Sequence, residues 1–599
     1  MNYKLVNNVV GWVIFVFAFL VYFMTMAPTA SFWDCGEFIA CSNELQVPHP
    51  PGAPFFLILG RFFALFSFGN VESVAFWVNM LSVVSGAFVA LFTFWSVTHL
   101  ARKLVAPGRD RMNLPNLLAI MGAGTVAALT ATFADSVWFN SVEAEVYALS
   151  SFFTAIVVWL IFKWEARSDE PDHLKWIILI AYLMGLSIGT HLLNLLTIPA
   201  LAFVYYFKKF KPNPIGIAAT FGISVFILAF IQYGIIQTSV EVAWGFEKLL
   251  VGYEEMDSTL YKTTGDGLPQ GTGIILFLLL FLGILVAGVY ITHKNKVWER
   301  VFNFRKDAQG LRAAINVSCW AVLVIIMGYS SYSMIVIRAN AGTPINENDP
   351  SSVASMISYL KREQYGDRPL FFGPRYNKQQ MNPRTMGRDW NVERDRKNFV
   401  NVRGGWTMPK GTYQLADGKT IVVNDKGEAP NFAVPAVEEG RQFYTDLKDG
   451  REISVDPKTK EVKRQTDRYV WSGYKQDVVW LKGKSFFPRM YSPSHYTKGA
   501  YGYKNYISVK DQRNPADPYD DNVSFGDDMR YFFDYQVRHM YLRYFMWNFA
   551  GRAGDIQDMG WEDGLLVRKD FPAELSEHQG RNHYYSIPLL LGLLGMVFL

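Results

Sequence analysis

The sequence has little cysteine and little charge for its length, and each shortage excludes a class of protein. Its 599 residues include three cysteines, Cys35, Cys41 and Cys319, which are too few for a disulfide framework. Cys35 and Cys41 could pair if their loop is not helical; the alternative is that all three are free buried thiols. Only 19% of the residues are charged, the net charge is +5 and no block of like charge occurs, which excludes a nucleic-acid-binding protein.

Apolar residues are abundant, and they are concentrated in one part of the chain. Half of the sequence is hydrophobic, and the stretch up to about residue 337 is far more apolar than the stretch from 338 to about 584. A chain of this length is expected to form two or more structural regions. The apolar run that starts near Val9 is too long for a signal-peptide core and lacks a small-residue cleavage site, so we interpret it as a retained membrane anchor.

The apolar region predicts about nine membrane-spanning helices. A helix needs about 20 apolar residues to cross the hydrocarbon core. Seven segments have roughly this length: 8–26, 74–99, 115–135, 144–162, 214–237, 272–292 and 313–337. An eighth stretch, 174–207, is too long for one helix and is interrupted at "GLSIGTHLLN". It therefore predicts two shorter helices that meet at Gly189, Thr190 and His191.

The loops between these helices differ in their basic residues, and this difference predicts the orientation. Cytoplasmic loops of membrane proteins are enriched in lysine and arginine. One alternating set of loops holds most of these residues, among them Lys4, Arg102, Lys103, Lys163, Arg167, Lys208, Lys209, Lys294 and Arg312. The opposite set, 27–54, 136–143, 188–192 and 238–271, holds only Lys248 and Lys262. We therefore expect a cytoplasmic N-terminus.

The polar region 338–584 predicts an extracytoplasmic α+β domain. "YQLADGKTIVVNDKGEAP" and "REISVDPKTKEVKRQ" have the alternation and turn residues of short hairpins. "DDMRYFFDYQVRHMYLRYFMWNFAGR" has helical periodicity and a glycine stop. The run "IPLLLGLLGMVFL" predicts that residues 585–599 begin a further, truncated transmembrane helix.

Polar residues collect in three segments that are predicted to lie outside and close to the membrane. Acids beside lipid are energetically costly and mark functional sites when they face a polar cavity. The first segment, residues 31–54, contains Asp34, Glu37, Glu44 and His49. The second segment, residues 135–149, contains Asp135, Glu143 and Glu145. The third segment, residues 338–350, contains Arg338, Asn346, Glu347 and Asp349. Because all three lie on one side of the membrane, we expect them to converge on a single site.

Asp34 has two interpretations from its local sequence. A helix that starts near Ser31 would place Asp34 and Glu37 on one face. Burial of the Asp34 carboxylate against Phe32 and Trp33 would raise its pKa and suit it to accept a proton near neutral pH. The alternative is that Ser31 or Asp34 caps the helix "CGEFIACSNEL".

The first outer loop, which we take to span residues 27–70, has a second feature: a proline-rich turn followed by an apolar segment that contains Arg61. "PHPPGAP" predicts a rigid turn, because consecutive prolines fix the backbone and prevent a helix. Arg61 lies within the apolar segment "FFLILGRFFALF", which is typical of a helix in the membrane interface. Its guanidinium either binds a lipid phosphate or headgroup, or reaches the interface without a ligand.

Four motifs, taken in order, resemble those of a known family. "FWDCGEFIACSNELQVPHPPGAPFF", "WFNSVEAEVYAL", "GLSIGTHLLNL" and "IRANAGTPINENDP" are similar to the membrane-embedded glycosyltransferases of the C class (GT-C), especially protein O-mannosyltransferases, and more closely to glycosyltransferase family 117. The resemblance covers about residues 10–350. It implies that residues 1–337 form a GT-C-like transmembrane domain within a polytopic α-helical membrane protein.

The resemblance also implies a reaction. It implies an inverting glycosyltransferase that moves mannose or a similar sugar from a polyprenyl-phosphate carrier to Ser or Thr hydroxyls of exported proteins. The implied partners are this lipid-linked donor, the acceptor protein and membrane lipids, with no cofactor and no metal. The implied location is a bacterial inner membrane, with the site on the periplasmic side. The alternatives are a lipid or glycan acceptor, or a transporter or flippase of lipid-linked sugars.

Roles for individual residues follow from the same resemblance. It implies that Asp34 is the general base and that Glu37 assists it, although Cys35 and Gly36 separate two acids that are adjacent in O-mannosyltransferases. His49 would shape the pocket. Arg338 is a candidate phosphate clamp, or simply a positive flank of its helix. Apart from the resemblance, the remaining candidate substrate-binding residues are Arg61, Asn346, Glu347 and two pairs. Glu143 and Glu145 either line the acceptor side or simply face water. His191 and Asn194, at the helix break, either contact the carrier or satisfy exposed backbone.

Overall fold

A computed structural model gives the architecture of most of the apolar region. The structure describes residues 2–107, 111–257, 260–264, 268–301, 309–365, 525–553, 560–561 and 584–598, together with separate strands between 372 and 486. Seven of its helices are long and apolar enough to cross a membrane, which indicates an integral membrane protein.

The helices of the first 365 residues are numbered α1 to α16 in chain order. Their bounds are Tyr3–Thr25, Cys35–Glu44, Pro54–Ala64, Val74–Val105, Leu114–Phe133, Asp135–Ser141, Val146–Ala166, Leu174–Ile188, Ile198–Lys209, Pro214–Ala229, Ser239–Leu250, Thr272–His293, Asn295–Val301, Gln309–Tyr329, Ser333–Asn340 and Val353–Lys361. A π-helical turn, Phe230–Thr238, joins α10 to α11.

The seven candidate spans coincide with seven of the nine predicted segments, and the other two are shorter. The spans are Tyr3–Thr25, Val71–Val105, Leu114–Phe133, Val146–Ala166, Pro214–Leu250, Thr272–His293 and Gly310–Asn340. The stretch 174–207 is divided into α8 and α9, as predicted. Between them, His191 begins a short 3₁₀ helix by accepting a hydrogen bond from the amide of Leu193 at its Nδ1 atom (3.1 Å).

The helices pack around α4, whose apolar side chains contact neighbours along most of its length. Helices α1, α5 and α7 pack against it. In the most apolar 18-residue stretch of this span, 72% is buried inside the protein, whereas in the corresponding stretch of α12 only 6% is buried. Since apolar surface that does not contact protein must be covered by lipid, α12 and its neighbours lie at the periphery of the bundle.

Strands connect the bundle to the polar region. Tyr253–Asp257 pairs with Leu260–Thr264 and, in parallel, with Arg468–Trp480, which pairs in turn with Arg388–Val402. Where hairpins were predicted, Gly411–Gln414 pairs antiparallel with Thr420–Val423, and Glu452–Val455 pairs with Val462–Lys463. The remaining strands are Phe372–Pro374 with Lys484–Phe486, and Gln442–Thr445, which pairs with Glu452–Val455.

The predicted helix "DDMRYFFDYQVRHMYLRYFMWNFAGR" is present between residues 525 and 550. It consists of α-helix Phe525–Tyr531, a π-helical stretch Phe532–Leu542 and α-helix Arg543–Ala550. Gly551 follows at φ +105°, a conformation that favours glycine, so the predicted stop is a real helix end. A last apolar helix spans Ile587–Phe598.

Backbone hydrogen bonds gather the loops at one end of the bundle. The amide of Ala27 donates to the carbonyl of Val142 (2.9 Å), and the amide of Phe55 donates to that of Gly189 (2.6 Å). Val47 forms a parallel bridge with Asn346. We call the end of the bundle where these loop contacts lie the site end.

Candidate active site

Helix α2 carries the candidate catalytic residues and is held tightly at the site end. It begins at Cys35 and ends at Glu44, and the next residue, Leu45, adopts the left-handed conformation. The following proline-rich turn passes under Tyr359, whose hydroxyl donates to the carbonyl of Pro48 (2.6 Å). Gly52 has φ +94° in this turn, and a Cβ atom there would lie 2.5 Å from the Tyr359 hydroxyl. Glycine is therefore required both by its backbone angle and by the close approach of Tyr359.

His49 links the two acids of α2. Its Nδ1 atom lies 2.6 Å from Oε2 of Glu37, and its backbone amide donates to Oε1 of the same carboxylate (2.8 Å). Its other ring nitrogen, Nε2, lies 3.9 Å from Oδ2 of Asp34. The imidazole therefore stands between two carboxylates, bonded directly to one and facing the other.

The Glu37–His49 contact sets the charge of both groups. Burial acts to raise the pKa of Glu37, but the hydrogen bonds from His49 and the charge of its ring outweigh it, and the pKa is lowered. The hydrogen bond to Glu37 raises the pKa of His49 against the opposing effect of burial, and the charge of Asp34 adds to the rise. The pair is therefore ionic between the lowered pKa of Glu37 and the raised pKa of His49.

Asp34 occupies the N-cap position of α2, yet its side chain makes no capping hydrogen bond. The hydroxyl of Ser31 donates to Oε2 of Glu143 (2.6 Å) instead of capping the helix. The side chain of Asp34 is 56% exposed, and Phe32 and Trp33 are 74% and 73% exposed. The expected burial of Asp34 against these two rings was therefore wrong, because both rings point away from the protein core.

Glu145 is the acid that burial perturbs most clearly. It is 7% exposed and caps α7 by accepting a hydrogen bond from the amide of Val146 (3.0 Å). Burial raises the pKa of Glu145 to about 7, and the charges of Asp34 and Glu143 also raise it. The first and second segments therefore converge, as predicted.

Arg61 and Arg338 bind the opposite end of α2. Arg338 donates to the carbonyl of Leu45 from Nε (2.7 Å) and to that of Glu44 from a terminal nitrogen (3.0 Å). Arg61 donates to the backbone carbonyl and the side-chain oxygen of Asn43. In this structure both guanidinium groups satisfy carbonyls at the C-terminus of α2, where positive charge also complements the helix dipole.

The third segment pairs with the backbone of Val47, two residues before His49 in the sequence. The amide of Glu347 donates to the carbonyl of Val47 (3.1 Å), and its side chain is exposed. The side chain of Asn346 donates to the carbonyl of Ala339 (3.4 Å) and to Asp349 (2.9 Å). Backbone pairing thus brings this segment to the first one.

His191 joins the site through a residue that the sequence did not single out. Its ring lies 5.3 Å from that of Tyr147. Burial raises the pKa of Tyr147, the charges of Glu145 and Asp34 raise it further, and the charge of Arg362 opposes them. Burial and the charge of Arg362 lower the pKa of His191. Asn194 is fully buried and donates to the hydroxyl of Ser187 (3.1 Å), so it lies behind the site.

Arg362 was also missed. It follows α16 in the left-handed conformation, is exposed, and stacks over the ring of Tyr365 at 5.0 Å. It brings a positive charge to a site otherwise rich in carboxylates. The basic pair Lys361–Arg362, soon after the third segment, was the sequence signal that could have identified it.

Among the described residues, one group has the composition of a cation site. Asp34, Glu37 and His49 each offer one ligand atom, and these atoms lie within 4.8 Å of one another. Nδ1 of His49 is already engaged by Glu37, so the other two ligand atoms of such a site would be Nε2 of His49 and the exposed carboxylate of Asp34. The absence of a metal from the reaction stays a prediction.

Comparison with known proteins finds two domain models that match parts of the chain. Residues 34–213 match the model of the protein O-mannosyl-transferase TMEM260 N-terminal domain. Residues 436–533 match a family of unknown function, DUF8416. No solved structure matches.

Two curated relatives carry the same name. The chain is 25% identical over 282 residues to the protein O-mannosyl-transferase tmem260 of Dictyostelium discoideum, a match that covers 42% of this chain and 31% of the relative. It is 30% identical over 169 residues to the protein O-mannosyl-transferase TMEM260 of Mus musculus, which covers 28% of this chain and 21% of the relative. The chain therefore spans less than a third of the length of either relative.

Proposed function

We propose that the protein is an integral-membrane, GT-C-type inverting glycosyltransferase that transfers mannose or a similar sugar from a polyprenyl-phosphate carrier to Ser or Thr hydroxyls. The observation that carries the proposal is the Asp34–His49–Glu37 constellation. It lies at the end of a membrane helix bundle, and its first member is where the match to an O-mannosyl-transferase domain begins. The resemblance to glycosyltransferase family 117 supports the same reaction.

Asp34 is the proposed general base. Its exposed carboxylate accepts the proton as the acceptor oxygen attacks the anomeric carbon. The bond from that carbon to the carrier oxygen breaks on the opposite side, and the carrier phosphate leaves with the electron pair. An alcohol is a poor nucleophile at neutral pH, so a positioned base contributes a rate factor of roughly 10²–10⁴.

In this proposal His49 and Glu37 position Asp34 for this step. The ionic hydrogen bond to Glu37 fixes the imidazole ring, whose Nε2 then faces the base at 3.9 Å, within reach of one bridging water. In this arrangement Glu37 acts through His49 and does not contact the acceptor.

The leaving phosphate requires positive charge, and Arg362 is the best-placed candidate. Arg61 and Arg338 are occupied by carbonyls at the end of α2, whereas Arg362 is exposed and its charge acts on His191 and Tyr147. Electrostatic stabilisation of a developing charge is a large contribution to catalysis. We place the donor phosphate on this side of the site and Glu143 and Glu145 on the acceptor side.

The surrounding architecture is proposed from the sequence. The lysine and arginine distribution supports a cytoplasmic N-terminus and a site end on the periplasmic face of a bacterial inner membrane. In the same proposal residues 1–337 form the transmembrane domain and residues 338–584 form an extracytoplasmic α+β domain. No cofactor and no metal take part.

The decisive experiment compares Asp34→Asn with wild type in purified, lipid-reconstituted protein. Labelled polyprenyl-phosphate mannose is supplied with a Ser/Thr peptide, and transfer is followed by the label. We expect Asp34→Asn to lower kcat by roughly 10²–10⁴. Asp172→Asn changes an acid paired with Lys175, far along the chain from the site, and serves as the matched control.

The same assay separates the acceptor classes. Label recovered in lipid or free glycan, and not in the peptide, would show that the acceptor is a lipid or a glycan and not a protein. Full transfer activity of a folded Asp34→Asn protein would show that Asp34 is not the general base.

A further inference from the structure

The loop that leads into α2 has a backbone conformation that its sequence does not favour. Trp33 adopts φ +61°, in the left-handed region that bulky residues avoid. Asp34 follows at φ −84° and ψ 1°, whereas a residue that caps a helix has an extended backbone. Serine and aspartate are both favoured caps, yet neither Ser31 nor Asp34 caps α2. Residues held in disfavoured conformations are concentrated at functional sites, where the surrounding structure fixes them.

Three hydrogen bonds fix the first part of this loop. The amide of Ala27 donates to the carbonyl of Val142 (2.9 Å). The side-chain nitrogen of Asn79 donates to the carbonyls of Ala27 (2.7 Å) and Thr29 (3.1 Å). Asn79 lies on α4 and is fully buried, so its nitrogen needs protein acceptors. These bonds tie residues 27–29 to the central helix of the bundle.

Ser31 fixes the next part of the loop. Its hydroxyl donates to Oε2 of Glu143 at 2.6 Å, and a hydrogen bond to a carboxylate is stronger than one between neutral groups. Glu143 follows Val142, which accepts the amide of Ala27. The second segment therefore holds the loop at two points, and the Ser31 hydroxyl is engaged there instead of capping α2.

These contacts account for the way in which Asp34 is presented. With residues 27–31 fixed, Asp34 does not cap α2, and its side chain stays 56% exposed with Oδ2 3.9 Å from Nε2 of His49. Release of the loop would let Asp34 take the extended backbone of a capping residue and turn its carboxylate towards the helix amides. We propose, on the basis of the proposed function, that Ser31 and Asn79 are positioning residues that keep Asp34 from capping α2. They act through Asp34 and do not contact the acceptor.

The test is a double-variant cycle between Ser31 and Asp34 in the peptide-transfer assay. We expect Ser31→Ala to lower kcat about tenfold and to leave the KM values of peptide and donor unchanged, because the base is displaced while the binding groups remain. In the Asp34→Asn background, Ser31→Ala is expected to cause no further loss of kcat, since Ser31 acts only through Asp34. Equal losses in both backgrounds would indicate a purely structural role and overturn the proposal.

Two further serine variants control for the loss of the hydroxyl. Ser31→Thr keeps a hydroxyl for Glu143 and is expected to keep kcat near wild type. Ser73→Ala is the matched control, because the hydroxyl of Ser73 also lies in an outer loop and donates to the carbonyl of Asn70 (3.0 Å). We expect Ser73→Ala to leave kcat unchanged.

Asn79 is tested in the same way. Asn79→Ala is expected to lower kcat with unchanged KM values, and to cause no further loss in the Asp34→Asn background. Asn316→Ala is its control, since the side chain of Asn316 also links two membrane helices by donating to Thr292 (2.8 Å). If Asn79→Ala does not fold, the Ser31 cycle decides the proposal.

Hydrogen exchange distinguishes this inference from the proposed function. If wild type transfers sugar and Ser31→Ala keeps full kcat, the inference alone fails. If wild type transfers no sugar, the proposed function fails, and amide exchange of residues 30–38, followed by mass spectrometry, then decides whether Ser31 holds the loop. Faster exchange in Ser31→Ala than in Ser73→Ala would support the inference, because a released loop opens more often. Exchange at the wild-type rate in Ser31→Ala would reject it.

Discussion

Glu145 shows how far the behaviour of one side chain depends on its surroundings. The sequence placed the desolvated carboxyl at Asp34, beside Phe32 and Trp33, whereas the structure buries Glu145 and leaves Asp34 open. Both acids were recognised as candidates because they are polar residues next to apolar helices. Which of them is buried depends on packing between segments about 110 residues apart, and local sequence does not encode that packing.

A change at Glu145 should alter stability in a pH-dependent manner. Its pKa of about 7 in the folded protein exceeds its usual value, so the neutral form stabilises the fold at low pH and this stability is lost as pH rises through 7. Glu145→Gln keeps an oxygen for the amide of Val146 but cannot ionise. We expect its Tm to exceed that of wild type by about 2–4 °C at pH 8, and by less at pH 5.

Thermal unfolding in detergent, followed at the two pH values, provides the measurement. Glu170→Gln, which changes a half-exposed acid paired with Arg167, is the control and should leave the pH dependence of Tm as in wild type. A Glu145→Gln protein whose Tm advantage is the same at both pH values would contradict this account.

At the scale of helices, charged side chains from distant segments complete the helix ends. Arg61 and Arg338 bind carbonyls at the end of α2, and Glu247 accepts hydrogen bonds from three amides at the start of α12, those of Gly271, Gly273 and Ile274. Helix ends leave such groups without partners inside the helix. The sequence predicted the spanning helices from the length of their apolar runs, but a hydrogen-bonding partner 293 residues away has no local signature.

Arg338 allows the capping role to be distinguished from a phosphate clamp. Arg338→Ala leaves the carbonyls of Glu44 and Leu45 without their donor, and we expect a loss of about 1–3 kcal/mol of unfolding free energy. Denaturant unfolding with Arg538→Ala as control, an exposed arginine in the 525–550 helix, measures this loss. Unchanged stability combined with a higher KM for the donor alone would instead indicate a phosphate clamp.

At the scale of the whole molecule, the sequence predicted the membrane bundle well. The seven candidate spans and the break between α8 and α9 follow from length and hydropathy, because hydrocarbon thickness fixes the length of a spanning helix. The contribution of residues 338–365 to the site was less accessible, since it depends on which loops meet at one end of the bundle. The boundaries of the polar domain stay a prediction.

Orientation is testable by labelling at the two ends of the bundle. Val71→Cys places a thiol at an 81% exposed position at the site end, and Asp172→Cys places one at the opposite end. With the native Cys35, Cys41 and Cys319 as background, we expect a membrane-impermeant maleimide to label Val71→Cys from the periplasm, and Asp172→Cys only after permeabilisation. The reverse pattern would invert the proposed topology.

The contacts of α2 also impose an order on biosynthesis. The helix and its proline-rich turn leave the ribosome early, yet their hydrogen-bonding partners Arg338, Ile345 and Tyr359 are translated about 300 residues later. During that interval the carbonyls of Leu45 and Pro48 must accept hydrogen bonds from water or from other neighbouring groups. The loop that holds the proposed base is thus among the first parts of the chain to be made and among the last to reach its final form.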